Sequence, residues 1–420
     1  MKRRILQLID SFDQGGSERQ AVELTRLLHA SGAFEVRLAC LKPDGVLRSE
    51  VDQLGLGEVP CYELRSFYDA NALAQLRRFV RYLRREKIDL LHTHDFYTNI
   101  FGMTAGLLAG VKVRIASRRE TSGMRSPGQQ RVQHLAYSFA HHILANSESV
   151  RRKLRDEGVN PNRISVVYNG LKLERVTSTV TNSRAQILSS LGIAPKNPAN
   201  QFVTIVANMR HDVKDYPMFL RAAQRVSAVL PEVGFLLAGE GELQDSIRQL
   251  AAELGIADKT FLLGRSEDIA GLLSVSDVCV LSSKAEGFSN SILEYMAAAR
   301  PVVATDVGGA REAVAEGETG YLVPSGNDQL LAQRIVSLLQ DPARAQVMGE
   351  QGRRVVEAKF STRALLENTE ALYERLLADR IGRDRRVLRE SGTLPNSRAT
   401  VPGHEDRGAN KSEPGAVATG

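Results

Sequence analysis

The sequence predicts two doubly wound α/β domains in tandem. Three observations lead there. Short apolar runs alternate with amphipathic helical stretches, the pattern of a parallel sheet covered on both faces. The alternation is broken once by a turn-rich stretch and then starts again. A length of 420 residues exceeds what one ordinary core organises.

The first half reads as strand 4–9, helix 18–30, strand 35–41, helix 71–86, strand 90–92, helix 99–109 and strand 112–116. Helix 129–140, strand 143–145, helix 148–157 and strand 164–167 follow. The break is "VVYNGLKLERVTSTVTNS", where Asn169-Gly170 is turn chemistry and the Ser/Thr/Asn content reads as linker. After "PKNPAN" the second half runs strand 202–207, helix 216–229, strand 234–238, helix 242–254, strand 260–263, helix 269–274 and strand 278–281. Helix 290–298, strand 302–305, helix 311–315, strand 320–323 and helices through Ala358 complete it. The expected boundaries are a first domain 1–170, a linker 171–198 and a second domain 199–358. A helix 359–382 is expected to return to the first domain. From Arg383 the chain turns Arg-rich and then Ser/Pro/Gly-rich, too poor in apolar residues to fold, and reads as a disordered tail.

Composition excludes several classes. The cysteines Cys40, Cys61 and Cys279 are odd in number and far apart, which argues against a disulfide framework or a zinc site. The apolar run after the basic start covers only Ile5–Ile9, broken by Gln7, so it suits a buried strand better than a signal peptide. No apolar run is long enough to span a membrane. The expected location is the cytoplasm, at the inner face of the cytoplasmic membrane. The net charge of +6 is unevenly placed. Helix 71–86 carries Arg77, Arg78, Arg81, Arg84 and Arg85 on one face, and the segment from Lys112 to Arg155 is also basic. A solvated face, an anionic membrane surface and a phosphorylated acceptor all fit such charge. Nucleic acid does not, because aromatics are 5% with no Trp.

Four places could carry chemistry. "DSFDQGGSERQ" sets Gly15-Gly16 between the first strand and a helix, where a diphosphate can approach backbone amides. A tight turn needs the same glycines, and the G-x-G-x-x-G dinucleotide fingerprint is absent. "LLHTHDF" puts His92 and His94 at a strand end. A substrate hydrogen bond and a structural histidine both fit, whereas the further ligands of a metal site are not apparent. "VANMRHDVKDY" places Arg210 and Lys214 in the loop after the first strand of the second domain, where cations can neutralise a leaving diphosphate. "KAEGFSNSILE" turns from a strand into helix 290–298. Ser289 can cap it, leaving the amides of Asn290 and Ser291 as an anion site. Glu294 lies roughly 6 Å further along the axis at 1.5 Å per residue, and Glu286 lies in the loop before. A glycosidase needs two carboxylates facing each other across a bond. These instead flank a helix start suited to one phosphate-bearing ligand, held through hydroxyls on both sides.

"EGFSNSILE" resembles the Glu-x7-Glu motif of the retaining glycosyltransferases of family 4, whose fold is GT-B. "RHDVK", "GEGE", "FLLG", "ARPVVATDVGGAREAV", "GYLV", "NSE" and "VVYNG" extend the likeness over nearly all of residues 1–380. The resemblance implies two Rossmann-like domains facing each other across a cleft. It implies sugar transfer from a nucleotide-sugar, UDP- or GDP-linked, to a glycan or lipid-linked acceptor, with retention and no obligate metal or cofactor. In such enzymes a phosphate oxygen takes the acceptor's proton. Glu286 would hold the donor sugar, Glu294 the ribose, Arg210 and Lys214 the diphosphate. Asn290 and Ser291 would lend amides within the Gly287–Ser291 turn that includes Phe288 and Ser289. Arg265 would lie beside the base, and Gly15-Gly16 would approach the diphosphate from the other domain.

One departure stands out. Many relatives carry a histidine just after the strand ending near Ala116. Here "ASRRET" supplies Arg118 and Arg119, so either an arginine makes that contact near the donor sugar or acceptor, or His94 approaches from the neighbouring strand. Two other readings share the fold or the ligand. A nucleotide-sugar 2-epimerase would turn over UDP-sugars without an acceptor, and a non-catalytic nucleotide-sugar-binding protein would bind without transfer.

Overall fold

The computed structural model describes residues 2–13, 15–67, 69–121, 125–177, 182–193 and 199–390. Residues 178–181 and 194–198 of the expected linker, and 391–420 of the expected tail, lie outside them.

Residues 2–377 lie in one compact unit built on two six-stranded sheets, parallel at every strand pair. The first contains β1 (Arg4–Ile9), β2 (Glu35–Cys40), β3 (Leu90–Thr93), β4 (Val113–Arg118), β5 (His142–Ala145) and β6 (Ile164–Val166), in the order β2-β1-β3-β4-β5-β6. The second contains β7 (Gln201–Val206), β8 (Val233–Ala238), β9 (Thr260–Gly264), β10 (Val278–Leu281), β11 (Val302–Thr305) and β12 (Gly320–Val323), ordered β12-β11-β10-β7-β8-β9. Strands buried on both faces are nearly all apolar. In β1 the buried polar exception is Gln7, whose amide donates to Tyr373 Oη at 3.0 Å.

In each sheet the strand order reverses beside the first strand, between β1 and β3 and between β7 and β10. Ligands of open parallel sheets bind outside the carboxyl ends of the strands at such a switch point. The loops after β1, β7 and β10 are those that carry Gly15-Gly16, Arg210 with Lys214, and Glu286.

The chain crosses back late. Phe360 packs in the second domain's core with Phe288 and Tyr168. In the helix Thr362–Glu390, Leu365, Leu372, Tyr373 and Leu377 join the first domain's core. That helix continues to Glu390, past Arg383, where folding was expected to stop. Arg, Leu and Glu are good helix formers, and extending a formed helix needs no new nucleus. A second unit, Ala378–Gly420, is helical over its described residues.

Candidate active site

The two switch points open on one cavity of about 380 Å³. The first domain lines it with Gly15, Gly16, Arg19, Arg119, Asn146 and Asn169, the segment after it with Arg175, and the second domain with the loops after β7, β8, β9 and β10. Six cations face three carboxylates there (Arg19, Arg119, Arg175, Arg210, Lys214 and Arg265 against Glu240, Glu286 and Glu294). That excess favours an anionic ligand.

Glu286 follows β10, and its Oε1 accepts from Lys214 Nζ at 2.5 Å and from Ser283 Oγ at 2.7 Å. Lys214 is fixed in turn, because its carbonyl accepts from Ser282 Oγ at 2.8 Å and Lys284 N–H donates to Val213 O at 2.8 Å. The loops after β7 and β10 are thereby tied together. Arg210 reaches from the same loop, half exposed, with Glu240 at 4.0 Å. Arg265 follows β9 and lines the same cavity, with Ser266 and Ile269.

The helix Asn290–Ala297 starts at the cavity wall. Ser291 Oγ donates to Val206 O at 2.7 Å, and Val206 N–H donates to Tyr295 Oη at 2.6 Å, which pins the helix to the end of β7. Ser289 was expected to cap the helix, but its side chain makes no capping bond. Asn290 is drawn across the cleft instead. Its Oδ1 accepts from Asn169 Nδ2 at 2.9 Å, and its Nδ2 donates to Gly16 O at 3.4 Å. Glu294 is buried, and Arg19 of the first domain donates to its Oε1 at 2.8 Å. Phe288 lines the cavity while its ring packs on Tyr168 and Phe360.

Gly287 sits where the domains touch. A Cβ there would lie 1.8 Å from the carbonyl oxygen of Arg119, so only glycine admits the approach. Next to it Thr121 Oγ1 donates to Glu286 O at 2.8 Å.

Of the three residues considered for the missing histidine, Arg119 alone reaches the cavity. Arg118 is the last residue of β4, buried, and its guanidinium is occupied by both carboxylate oxygens of Glu157 and by Glu120 O at 3.0 Å. The strand runs on through Arg118, and alternation along it sends neighbouring side chains to opposite faces. His94 lies buried behind the wall, with Nε2 at 2.6 Å from Gln7 Oε1 and its ring against His92. Burial, His92 and Arg119 hold it well below the ordinary imidazole range. Arg119 NH1 donates to Asn169 Oδ1 at 2.7 Å. Burial lowers Arg119 to about 10, against Glu18, Tyr373 and Asp95, so it is a cation at neutral pH.

Arg19, Asn146, Asn169 and Arg175 were not anticipated. Asn169 reads as a turn residue, and Arg19 as one more charge on an amphipathic helix. Each reveals its part only through a partner far away in sequence. Among the described residues no group of three or more His, Cys, Asp or Glu is placed to hold a metal.

A family model described as glycosyl transferases group 1 matches residues 200–341, and one described as glycosyltransferase family 4 matches residues 14–175. The chain belongs to the family 4 glycosyltransferases. This family 4 member is 28% identical over 335 residues to the N-acetyl-alpha-D-glucosaminyl L-malate synthase of Bacillus anthracis, covering 78% of this chain and 83% of that one. It is 24% identical over 373 residues to the UDP-Gal:alpha-D-GlcNAc-diphosphoundecaprenol alpha-1,3-galactosyltransferase of Escherichia coli, covering 85% and 93%. Among solved structures, HepE of Anabaena in complex with UDP and glucose matches with a TM-score of 0.78 at 22% identity, over 89% of this chain and 100% of that one. The fold of this family 4 glycosyltransferase is GT-B.

Proposed function

We propose that this glycosyltransferase moves a sugar from a UDP- or GDP-linked donor to a glycan or lipid-linked acceptor, with retention at the anomeric carbon. The product would be a cell-surface polysaccharide or glycolipid. The observation that carries the reading is the Lys214–Glu286 pair at 2.5 Å beside the uncapped start of helix Asn290–Ala297. A cation and helix amides suit a diphosphate, and a carboxylate beside them suits sugar hydroxyls. The likeness to HepE, whose structure holds UDP and glucose, supports the donor class. The likeness to the Escherichia coli enzyme, named for UDP-Gal and a GlcNAc-diphosphoundecaprenol, supports the acceptor class.

In this reading Glu286 holds the sugar, Glu294 the ribose, Arg265 lies beside the base, and Arg210 with Lys214 takes the diphosphate. The anomeric C–O bond to the diphosphate breaks, and its electron pair stays on the leaving phosphate. The acceptor oxygen bonds to the same face of that carbon, and its proton passes to a phosphate oxygen. The protein contributes position and charge.

The test is a thermal-shift screen of UDP- and GDP-sugars, followed by transfer assays with lipid-linked acceptors. Glu286→Ala and Lys214→Ala are each expected to lower turnover about 100-fold, the size of a lost oxyanion contact. The assignment is wrong if neither does. Turnover of the donor with no acceptor present would favour an epimerase.

A further inference from the structure

Arg119 stands apart from the other cations of the cleft. Arg19, Arg175, Arg210 and Lys214 each have a carboxylate within 4.0 Å. Arg119 and Arg265 have none among the described residues, but Arg265 is exposed, whereas the Nε of Arg119 is buried and has no hydrogen-bond partner. A largely desolvated cation with no carboxylate in contact, offset only by the more distant charges of Glu18 and Asp95, is costly, so an anion from elsewhere would stabilise it.

The surroundings say which anion. Asn169 accepts from Arg119 NH1 at 2.7 Å and donates to Asn290 Oδ1 at 2.9 Å and to Phe288 O at 3.1 Å. The guanidinium is thereby aimed toward the first residue of helix Asn290–Ala297. Gly16, which opens the helix Gly16–Ser31, touches the same Asn290 side chain. Two helix starts, each a partial positive charge, and one unpaired guanidinium converge on one part of the cavity.

We infer that Arg119 is a third cation on the donor's diphosphate, supplied by the first domain and aimed by Asn169, so that both domains grip the leaving group. This rests on the nucleotide-sugar reading above. Lys214 and Arg210 hold the diphosphate from the second domain, and Arg119 meets it from the first. Negative charge grows on the leaving phosphate as the anomeric bond breaks, so the contact strengthens toward the transition state. Arg119 is then a catalytic residue and Asn169 a positioning residue.

The experiment is calorimetry on the full chain with UDP, GDP, UMP, GMP, UDP-glucose and GDP-mannose as probes, for the wild type, Arg119→Gln, Arg119→Lys and Asn169→Ala. In Arg119→Gln the diphosphate that binds the wild type is expected to weaken about ten-fold or more, the size of a lost charged hydrogen bond. The matching monophosphate should change little. Asn169→Ala should move the same ratio by a smaller factor. Equal losses for diphosphate and monophosphate, or no loss for either, overturn the inference. So does a loss confined to UDP-glucose or GDP-mannose with UDP and GDP unaffected, which would put Arg119 on the sugar. If Arg119→Gln does not fold, Arg119→Lys decides: its ammonium keeps the charge as a point without the planar fork, so the ratio should fall by a smaller factor, and an unchanged ratio again overturns the inference. A wild type that binds neither UDP nor GDP is a different failure, that of the nucleotide-sugar reading itself.

Discussion

His92 lies fully buried between two hydroxyls, with Nδ1 at 2.6 Å from Tyr373 Oη and Nε2 at 2.6 Å from Ser117 Oγ. Burial and the nearby Arg119 push it down to about 3. An imidazole in the unfolded chain titrates near 6.5. Below that value the unfolded state takes up a proton that the folded state refuses, so the stability held by His92 is complete above pH 6.5 and drains away toward pH 3. His92→Gln has no such proton to exchange. It is expected to cost about 1–3 kcal/mol at pH 7 through the disturbed buried hydrogen bonds, and the gap to the wild type should narrow on acidification. Urea unfolding at pH 7, 6, 5 and 4 measures it, and a gap of constant size would refute the linkage. The same neighbourhood shows what single residues conceal. "ASRRET" displays two arginines, but which one faces the cleft depends on how far β4 runs, and alternation makes a one-residue error decisive. Ser289 has the right chemistry for a cap, yet the interdomain pull on Asn290 sets the geometry of that turn.

The elements were more legible than the residues, because a parallel sheet buries each strand on both faces and writes it as an apolar run. The misreadings fall at ends. Helix Phe96–Ala109 begins earlier than its apolar period suggests, because Asp95 caps it by accepting from Thr98 N–H at 3.0 Å. Strand β4 extends over Ser117 and Arg118, whose polarity masks their burial. Helix Ala70–Arg85 carries its basic face outward. Arg77, Arg78, Arg81, Arg84 and Arg85 are exposed, while Phe79 and Leu83 are buried. Nearby, Arg84 NH2 donates to Leu108 O at 2.6 Å, and Leu107 and Leu108 are exposed at the end of the neighbouring helix. Basic charge beside exposed leucines suits an anionic bilayer. Among the described residues no helix is long and apolar enough to cross a membrane. Flotation with phosphatidylglycerol vesicles at low salt is expected to carry the protein upward, and neutral vesicles should not. Arg77→Glu with Arg81→Glu is expected to cut binding about ten-fold or more, since each basic residue near such a surface contributes to attraction. Unchanged flotation of that double variant would remove this helix from the account.

At the scale of the whole molecule the site exists only because two domains meet in one register. Arg19 crosses to Glu294, Asn169 to Asn290, and the amides of Glu148 and Ser149 donate to Glu312 at 2.7 and 2.8 Å. None of these pairs could be drawn from periodicity, because nothing local links residues so far apart in the chain. Among the glycines, the closest approach to the other domain is that of Gly287 to the Arg119 carbonyl. Gly287→Ala puts a methyl 1.8 Å from that oxygen, so the domains must part or the loop must shift by on the order of 1.5 Å to restore an ordinary contact. Neither domain's core is touched, so thermal stability should change little. Binding of the nucleotide diphosphate should fall by about ten-fold, because the second domain keeps its contacts and that of Arg119 is disturbed. Transfer should suffer most, because catalysis by position falls about 100-fold for an error near 1 Å. Measuring kcat beside nucleotide affinity and the unfolding midpoint separates these effects. A Gly287→Ala enzyme with wild-type turnover would mean that the close meeting of the two domains is not the catalytic arrangement.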